Sequence, residues 1–161
     1  MNEMIKVGMA DSNVCVSPNA ITTLGLGSCV GIVLYDPVRK IAGMVHVMLP
    51  DSTKIINNSN KAKFADTGID LLISQMLAIG ADRRNLVAKI AGGAQMFAFG
   101  ANSDMMRIGD RNVEATKSKL KQLGISLKAE DTGANYGRTI EFYPDNGMLL
   151  IKSVGKEKKM I

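Results

Sequence analysis

Apolar residues along the first fifty positions fall into short blocks, at 5–10, 14–16, 20–24, 30–35 and 41–49, separated by Gly, Asn, Asp, Pro and Ser. At that length, with turn formers between them, the blocks predict strands and not helices. The polar stretch 51–60 predicts a surface loop. The period then changes, because Ile69, Leu72, Ile73, Met76 and Leu77 share one face of a helix that Gly80 ends. Residues 86–91 predict a further strand closing on Gly92-Gly93. A second helix is expected from near Gly109-Asp110 to Gly124, with Val113, Leu120 and Leu123 inward and Lys117, Lys119 and Lys121 outward. Residues 125–129, 138–143 and 148–152 predict more strands, the last two flanking Pro144-Asp145-Asn146-Gly147, where Asn146-Gly147 is a hairpin signal. Strands, helix, strand, helix and strands again make an α+β order, unlike the strict alternation of a doubly wound sheet.

The chain has 161 residues with no linker-like composition and no internal repeat, which predicts a single domain over 1–161. Hydrophobic residues at 46% and charged residues at 22% are globular values, so extended disorder and rod-like folds are excluded. The longest nearly unbroken apolar run, 41–49, falls well short of the ~20 residues of a membrane-spanning helix. The charged N-terminal residues do not resemble a secretory signal, so a cytoplasmic location without membrane insertion is expected. A net charge of +5 admits nucleic acid, but three Tyr, four Phe and no Trp offer no basic stacking platform, and no nucleic-acid partner is expected. The lysines at 117–121 are expected to solvate a helix, and residues 153–161 to form a mobile basic tail. Cys15, Cys29 and His46 cannot complete a four-ligand zinc set, so no metal or cofactor is expected and both thiols are taken as free.

Chemistry concentrates at 23–31, Thr-Leu-Gly-Leu-Gly-Ser-Cys-Val-Gly. A dinucleotide fingerprint would need glycine at Val30 and a helix to follow. A nucleophile elbow on Ser28 would need glycines at Leu26 and Val30. What remains is a flexible turn that delivers Ser28-Cys29 to the start of a strand. A catalytic cysteine needs a base, and His46 is the one imidazole in the chain. The intervening segment reads as a hairpin. A two-residue turn pairing Asp36 with Arg39, or a four-residue turn pairing Tyr35 with Lys40, sets Cys29 directly opposite His46. A three- or five-residue turn sets them on opposite faces unless a bulge intervenes. Glycines 25, 27 and 31 would let amides near Cys29 face a bound oxyanion, with Gly27 and Ser28 the candidate contributors. The same glycines also suit a tight turn, and a buried Cys and His also suit a plain core.

Thr23-Leu24-Gly25-Leu26-Gly27-Ser28-Cys29-Val30, Asp36-Pro37 and Gly43-Met44-Val45-His46-Val47-Met48-Leu49-Pro50 together closely resemble the signature of the CheD family of chemoreceptor glutamine deamidases. Lys89-Ile90-Ala91-Gly92-Gly93-Ala94, Ile108-Gly109-Asp110-Arg111-Asn112-Val113 and Ala129-Glu130-Asp131-Thr132-Gly133 extend the resemblance along nearly the whole chain. Ala134 departs from it, standing where a second glycine is expected. The resemblance implies a layered fold similar to the catalytic domain of the cytotoxic necrotizing factor toxins. It implies a thiol hydrolase that converts glutamine to glutamate on methyl-accepting chemotaxis receptors, with Cys29 as nucleophile, His46 as base and Thr23 as third member. It also implies a regulatory complex with the CheC phosphatase. Two other readings use the same residues: a non-enzymatic binding module for CheC, and a methylesterase of receptor glutamyl esters.

Overall fold

The computed structural model describes residues 2–96 and 107–161. Among the described residues ten strands, β1 (Met4–Val7), β2 (Ser12–Val16), β3 (Ala20–Leu26), β4 (Val30–Asp36), β5 (Ile41–Val47), β6 (Val87–Gly92), β7 (Ser126–Thr132), β8 (Arg138–Tyr143), β9 (Met148–Lys152) and β10 (Lys159–Met160), accompany two α-helices, α1 (Ala65–Ala78) and α2 (Ile108–Gln122). The strands form two mixed sheets, in the orders β1-β3-β8-β9-β10 and β2-β5-β4-β6-β7. The α+β reading of the sequence therefore holds, within one domain.

Three layers result. Val30, Ile32 and Leu34 of β4 with Val45 and Val47 of β5 pack against Ile69, Leu72 and Met76 of α1. The alternate residues Val33, Ala42 and Met44 pack against Ile21, Ile140, Phe142 and Leu149 of the other sheet. The second sheet is thus covered on both faces, and every residue of β5 is buried. This explains why 41–47 reads as a continuous apolar run where a half-exposed strand would alternate. Burying such a Val or Leu contributes roughly 1.5–3 kcal/mol per side chain, so this central sheet anchors the fold.

Helix α2 buries Gly109, Asn112, Thr116 and Leu120, while Val113 and Leu123 are only partly covered. Its lysines are less idle than a solvated face implies. Lys119 Nζ lies 3.0 Å from Asp70 of α1, and Lys117 Nζ lies 2.8 Å from Glu130 of β7. Of the basic segment 153–161, the last three residues are tied to the sheet. Lys159 and Met160 pair with Ile151 and Leu150, Ile161 exchanges both backbone hydrogen bonds with Leu149, and Lys89 Nζ donates to the Ile161 carbonyl at 2.8 Å. The edge of β9 is thereby covered by the chain itself. Among the described residues no helix is long and apolar enough to cross a membrane.

Candidate active site

The β4–β5 hairpin differs from both registers that the sequence allowed. Asp36 pairs with Ile41 and Gly31 with His46, around a four-residue connection, Pro37 to Lys40. The cause is Asp36, whose buried Oδ1 accepts from the Val38 amide at 3.0 Å and the Arg39 amide at 3.1 Å and so sets the loop at Pro37 to Lys40. Relative to direct opposition the shift is two residues, which preserves the face. Cys29, just before β4, stands diagonal to His46 where the sequence placed it directly opposite. Diagonal neighbours are ~7–8 Å apart at the backbone and still within reach of a long side chain. Both point between the two sheets: Cys29 packs with Leu26, Ala91 and Ile140, and a Cβ on Gly31 would stand 2.7 Å from Ile140 Cδ1.

Thr23 reaches the same space from the other sheet. An irregularity between Thr23 and Leu26 in the pairing of β3 with β8 throws Leu24 and Gly25 outward, so that residues three apart both face inward. The two adjacent threonines separate cleanly. Thr22 Oγ1 donates to the Ile140 carbonyl, whereas Thr23 Oγ1 lies 2.7 Å from His46 Nδ1. Thr23 also donates its hydroxyl proton to the Val7 carbonyl at 2.7 Å. A hydroxyl has one proton to give, so His46 Nδ1 must be the donor to Thr23. That assigns the tautomer: hydrogen on Nδ1, lone pair on Nε2. His46 is fully buried and its Nε2 has no protein partner among the described residues.

Burial sets the charge states. It pushes the Cys29 thiol above its ordinary value, opposed in part by a hydrogen bond from its own amide, and it pushes the His46 imidazole below its ordinary value. At neutral pH the free protein holds a neutral thiol and a neutral imidazole, not an ion pair. Cys15 lies on β2, 5% exposed, with its thiol pushed up to about 12 by desolvation alone. No disulfide joins the two cysteines.

The turn carrying Cys29 is held by its carbonyls. The Gly27 carbonyl accepts from the Ala94 amide at 2.9 Å, the Ser28 carbonyl from Asn112 Nδ2 at 2.9 Å, and the Cys29 carbonyl from the Gly93 amide at 2.8 Å. Gly92 and Gly93 make this possible. Both have positive φ, 113° and 66°, and a Cβ on Gly92 would run into the Cys29 carbonyl oxygen. Buried Arg138 donates to the Gly92 carbonyl at 3.4 Å and to the Gly133 carbonyl at 3.0 Å, and pairs with Asp131 at 3.1 Å. Gly27 and Ser28 are half-buried and Cys29 is 8% exposed, so the turn is the part of the site nearest solvent. Sequence reading had singled out neither Asn112 nor Arg138 for a role. The available signal for Asn112 was a polar residue in the inward stripe of an amphipathic helix.

Comparison with known proteins gives the same family that the motifs suggest. The profile of a family described as CheD chemotactic sensory transduction matches residues 48–153, a span that starts two positions after His46. Full-length relatives carry the match through the earlier segment. A protein of Lachnoclostridium phytofermentans named probable chemoreceptor glutamine deamidase CheD is 71% identical over 161 residues, covering all of both chains. One of Halalkalibacterium halodurans, named chemoreceptor glutamine deamidase CheD, is 58% identical over 162 residues, again covering all of both. One of Caldanaerobacter subterraneus, named like the first, is 61% identical over 160 residues and 99% of each chain. The chain belongs to the CheD family.

Proposed function

We propose that the protein is a chemoreceptor glutamine deamidase in which Cys29 is the nucleophile, His46 the general base and acid, and Thr23 the residue that orients the imidazole. The observation that carries this reading is the directed chain from His46 Nδ1–H to Thr23 Oγ1 to the Val7 carbonyl. It leaves the Nε2 lone pair as an unused base in a buried space that Cys29 shares. A core histidine with no chemical task would be expected to satisfy both nitrogens.

The reaction follows from these groups. His46 Nε2 takes the Cys29 thiol proton as sulfur attacks the glutamine carboxamide carbon, so the charged pair absent at rest forms only as the reaction proceeds. The carbonyl oxygen becomes an oxyanion, and among the described residues no backbone carbonyl competes for the Ser28 or Cys29 amide that would receive it. Collapse breaks the C–N bond, and the imidazolium gives its proton to the departing ammonia. The resulting thioester is attacked by water, whose proton passes to His46 and then back to the thiol as glutamate leaves. Thr23 accepts throughout from Nδ1–H, a bond that strengthens when the ring is charged.

The substrate is a glutamine side chain on a methyl-accepting receptor, whose carboxamide reaches Cys29 beside the half-buried Gly27–Ser28 turn, the part of the site nearest solvent. Binding and regulation of a CheC phosphatase belong to the same proposal and rest on the family resemblance. The test is mass spectrometry of a receptor cytoplasmic fragment after incubation with the protein. Conversion of specific Gln to Glu that requires Cys29 supports the reading. Release of methanol from methylated glutamates with Gln left intact would replace it with the esterase reading.

A further inference from the structure

Helix α2 turns an unusual stripe inward, in which three of the four buried residues, Gly109, Asn112 and Thr116, are not large apolar side chains. Each has a local reason. A Cβ on Gly109 would stand 2.7 Å from the Gly93 carbonyl oxygen, so its absence lets the helix settle onto the 93–94 segment that holds the Cys29 turn. Thr116 Oγ1 donates to the Asn112 carbonyl at 2.7 Å. Asn112, fully buried, spends both Nδ2 hydrogens on two carbonyls that belong to different parts of the site. One is Ser28, immediately before the cysteine, at 2.9 Å, and the other is Met48, just beyond the His46 strand, at 3.0 Å.

In a trans peptide the C=O and the following N–H point in opposite directions. Tying the Ser28 carbonyl down toward α2 therefore turns the Cys29 N–H away from α2. The bond from Ala94 to the Gly27 carbonyl turns the Ser28 N–H in the same manner. Asn112 Oδ1 has no partner among the described residues, and with His46 Nε2 it is one of two such buried side-chain atoms there. A buried amide that uses only its donors, where an apolar residue would pack at lower cost, is placed for those donors.

We infer that Asn112 is a positioning residue for catalysis, fixing the Ser28–Cys29 peptide so that the Cys29 amide is already aimed at the developing oxyanion. The inference rests on the deamidase reading and assigns Asn112 no contact with substrate. It separates two properties of the site. Formation of the thiolate depends on His46, whereas stabilisation of the tetrahedral oxygen depends on the orientation that Asn112 imposes.

The test uses Asn112→Asp, which keeps the shape and removes the donors, and Asn112→Ala, with folding of each checked by thermal unfolding. Losing one oxyanion donor outright costs ~10²–10³ in kcat, and losing only its alignment should cost roughly 10- to 100-fold. KM should stay within about twofold, and alkylation of Cys29 by iodoacetamide, which passes through no oxyanion, should likewise stay within about twofold. A merely structural Asn112 would lower the melting temperature and leave kcat intact well below it. The inference is overturned if kcat stays within about twofold in either folded variant, or if kcat and alkylation fall together.

A measurement on the unaltered protein covers the case in which both variants unfold. Propionaldehyde adds to the Cys29 thiol, forming an S–C bond and moving the thiol proton to the carbonyl oxygen, which then occupies the oxyanion position. The Cys29 amide proton should move downfield in the NMR spectrum on adduct formation, and an unmoved resonance overturns the inference. Wild-type conversion of Gln to Glu is the control: its absence removes the deamidase reading and this inference with it, whereas an active wild type beside unimpaired variants removes only the inference.

Discussion

Replacing Thr23 by Val keeps the side-chain shape and deletes one hydroxyl, and the structure sets what that deletion costs. His46 Nδ1–H loses its acceptor at a position with no solvent exposure. An unsatisfied buried donor costs ~1–3 kcal/mol, which in a domain of this size lowers the melting temperature by roughly 2–10 °C. The effect on turnover comes from the charged form. A hydrogen bond from a neutral group contributes ~0.5–1.5 kcal/mol net and one from a charged group ~1.5–3, so on the proposed mechanism Thr23 would stabilise the imidazolium of the transition state by about 1–1.5 kcal/mol more than the resting ring. That difference alone is close to tenfold in kcat. Losing the neutral bond also frees the other tautomer, which protonates Nε2 and removes a further ~2- to 12-fold of competent enzyme. The expected fall is roughly 20- to 100-fold in kcat with little change in KM, measured by mass-spectrometric deamidation rates on a receptor fragment. Because the imidazolium has lost a stabilising acceptor, the acidic limb of the pH profile should move to lower pH. Thr23→Ser, which restores the hydroxyl, should recover most of the rate. Turnover within about twofold of wild type in Thr23→Val, or an acidic limb displaced upward, would refute the reasoning.

Cys29→Ala and Cys29→Ser should each abolish deamidation while Cys15→Ala keeps most of it, and thiol labelling should reach Cys29 far below the pH needed for Cys15, whose thiol is pushed up to about 12; equal loss at both positions would indicate a shared core role. Stability should also report His46. Its folded value lies below the ordinary ~6.5, so the unfolded chain takes up a proton that the folded one refuses, and stability should fall as pH drops below ~6.5 until the folded value is passed. A melting temperature that is flat from pH 7 to the folded value, or a slope unchanged in His46→Gln, would contradict this. Raising salt should lower kcat/KM only modestly, because Lys117, Lys119 and Lys159 already pair with Glu130, Asp70 and Asp131; a drop of tenfold or more between about 0.05 and 0.2 M salt would show that the net charge of +5 steers encounter after all.

Strands and helices were legible because each element carries its own period: 86–91 and 138–143 lie within a residue or so of β6 and β8, and of the α1 face read from Ile69, Leu72, Ile73, Met76 and Leu77, Ile69, Leu72 and Met76 are buried, Ile73 is partly buried and Leu77 is exposed. Sheet membership was not legible, since nothing local says that β1 pairs in parallel with β3 while β2 crosses to β5 in the other sheet. At the site, the sequence motif marked Thr23, Cys29 and His46. The register between the last two turned on the grip of one side chain, Asp36, on its own loop, an effect that hydrophobic pattern does not encode. Asn112 lies in the inward stripe of its helix, but its position there does not tell which carbonyls its amide holds until the tertiary contact to Ser28 is known. The basic end of the chain read as mobile because its charges outnumber its apolar residues; the placement of its last residues depends on Lys89, 72 positions before Ile161, and on the free edge of β9.

The 2.7 Å bond between Thr23 and His46 joins the two sheets within the seam filled by Leu26, Ile140, Phe142 and their neighbours, while Arg138 with Asp131 and Lys89 with Ile161 tie the sheets together at other places. Sheets stacked in this way stand ~10 Å apart and respond to the volume of what lies between them. The hydrogen bond therefore works as a spacing gauge for the whole sandwich. A substitution such as Phe142→Leu, which lets the sheets settle closer, would be read out in turnover before it was noticed in folding, although Phe142 contributes nothing to the chemistry itself. Drift at such core positions would retune catalytic rate without altering a single active-site residue.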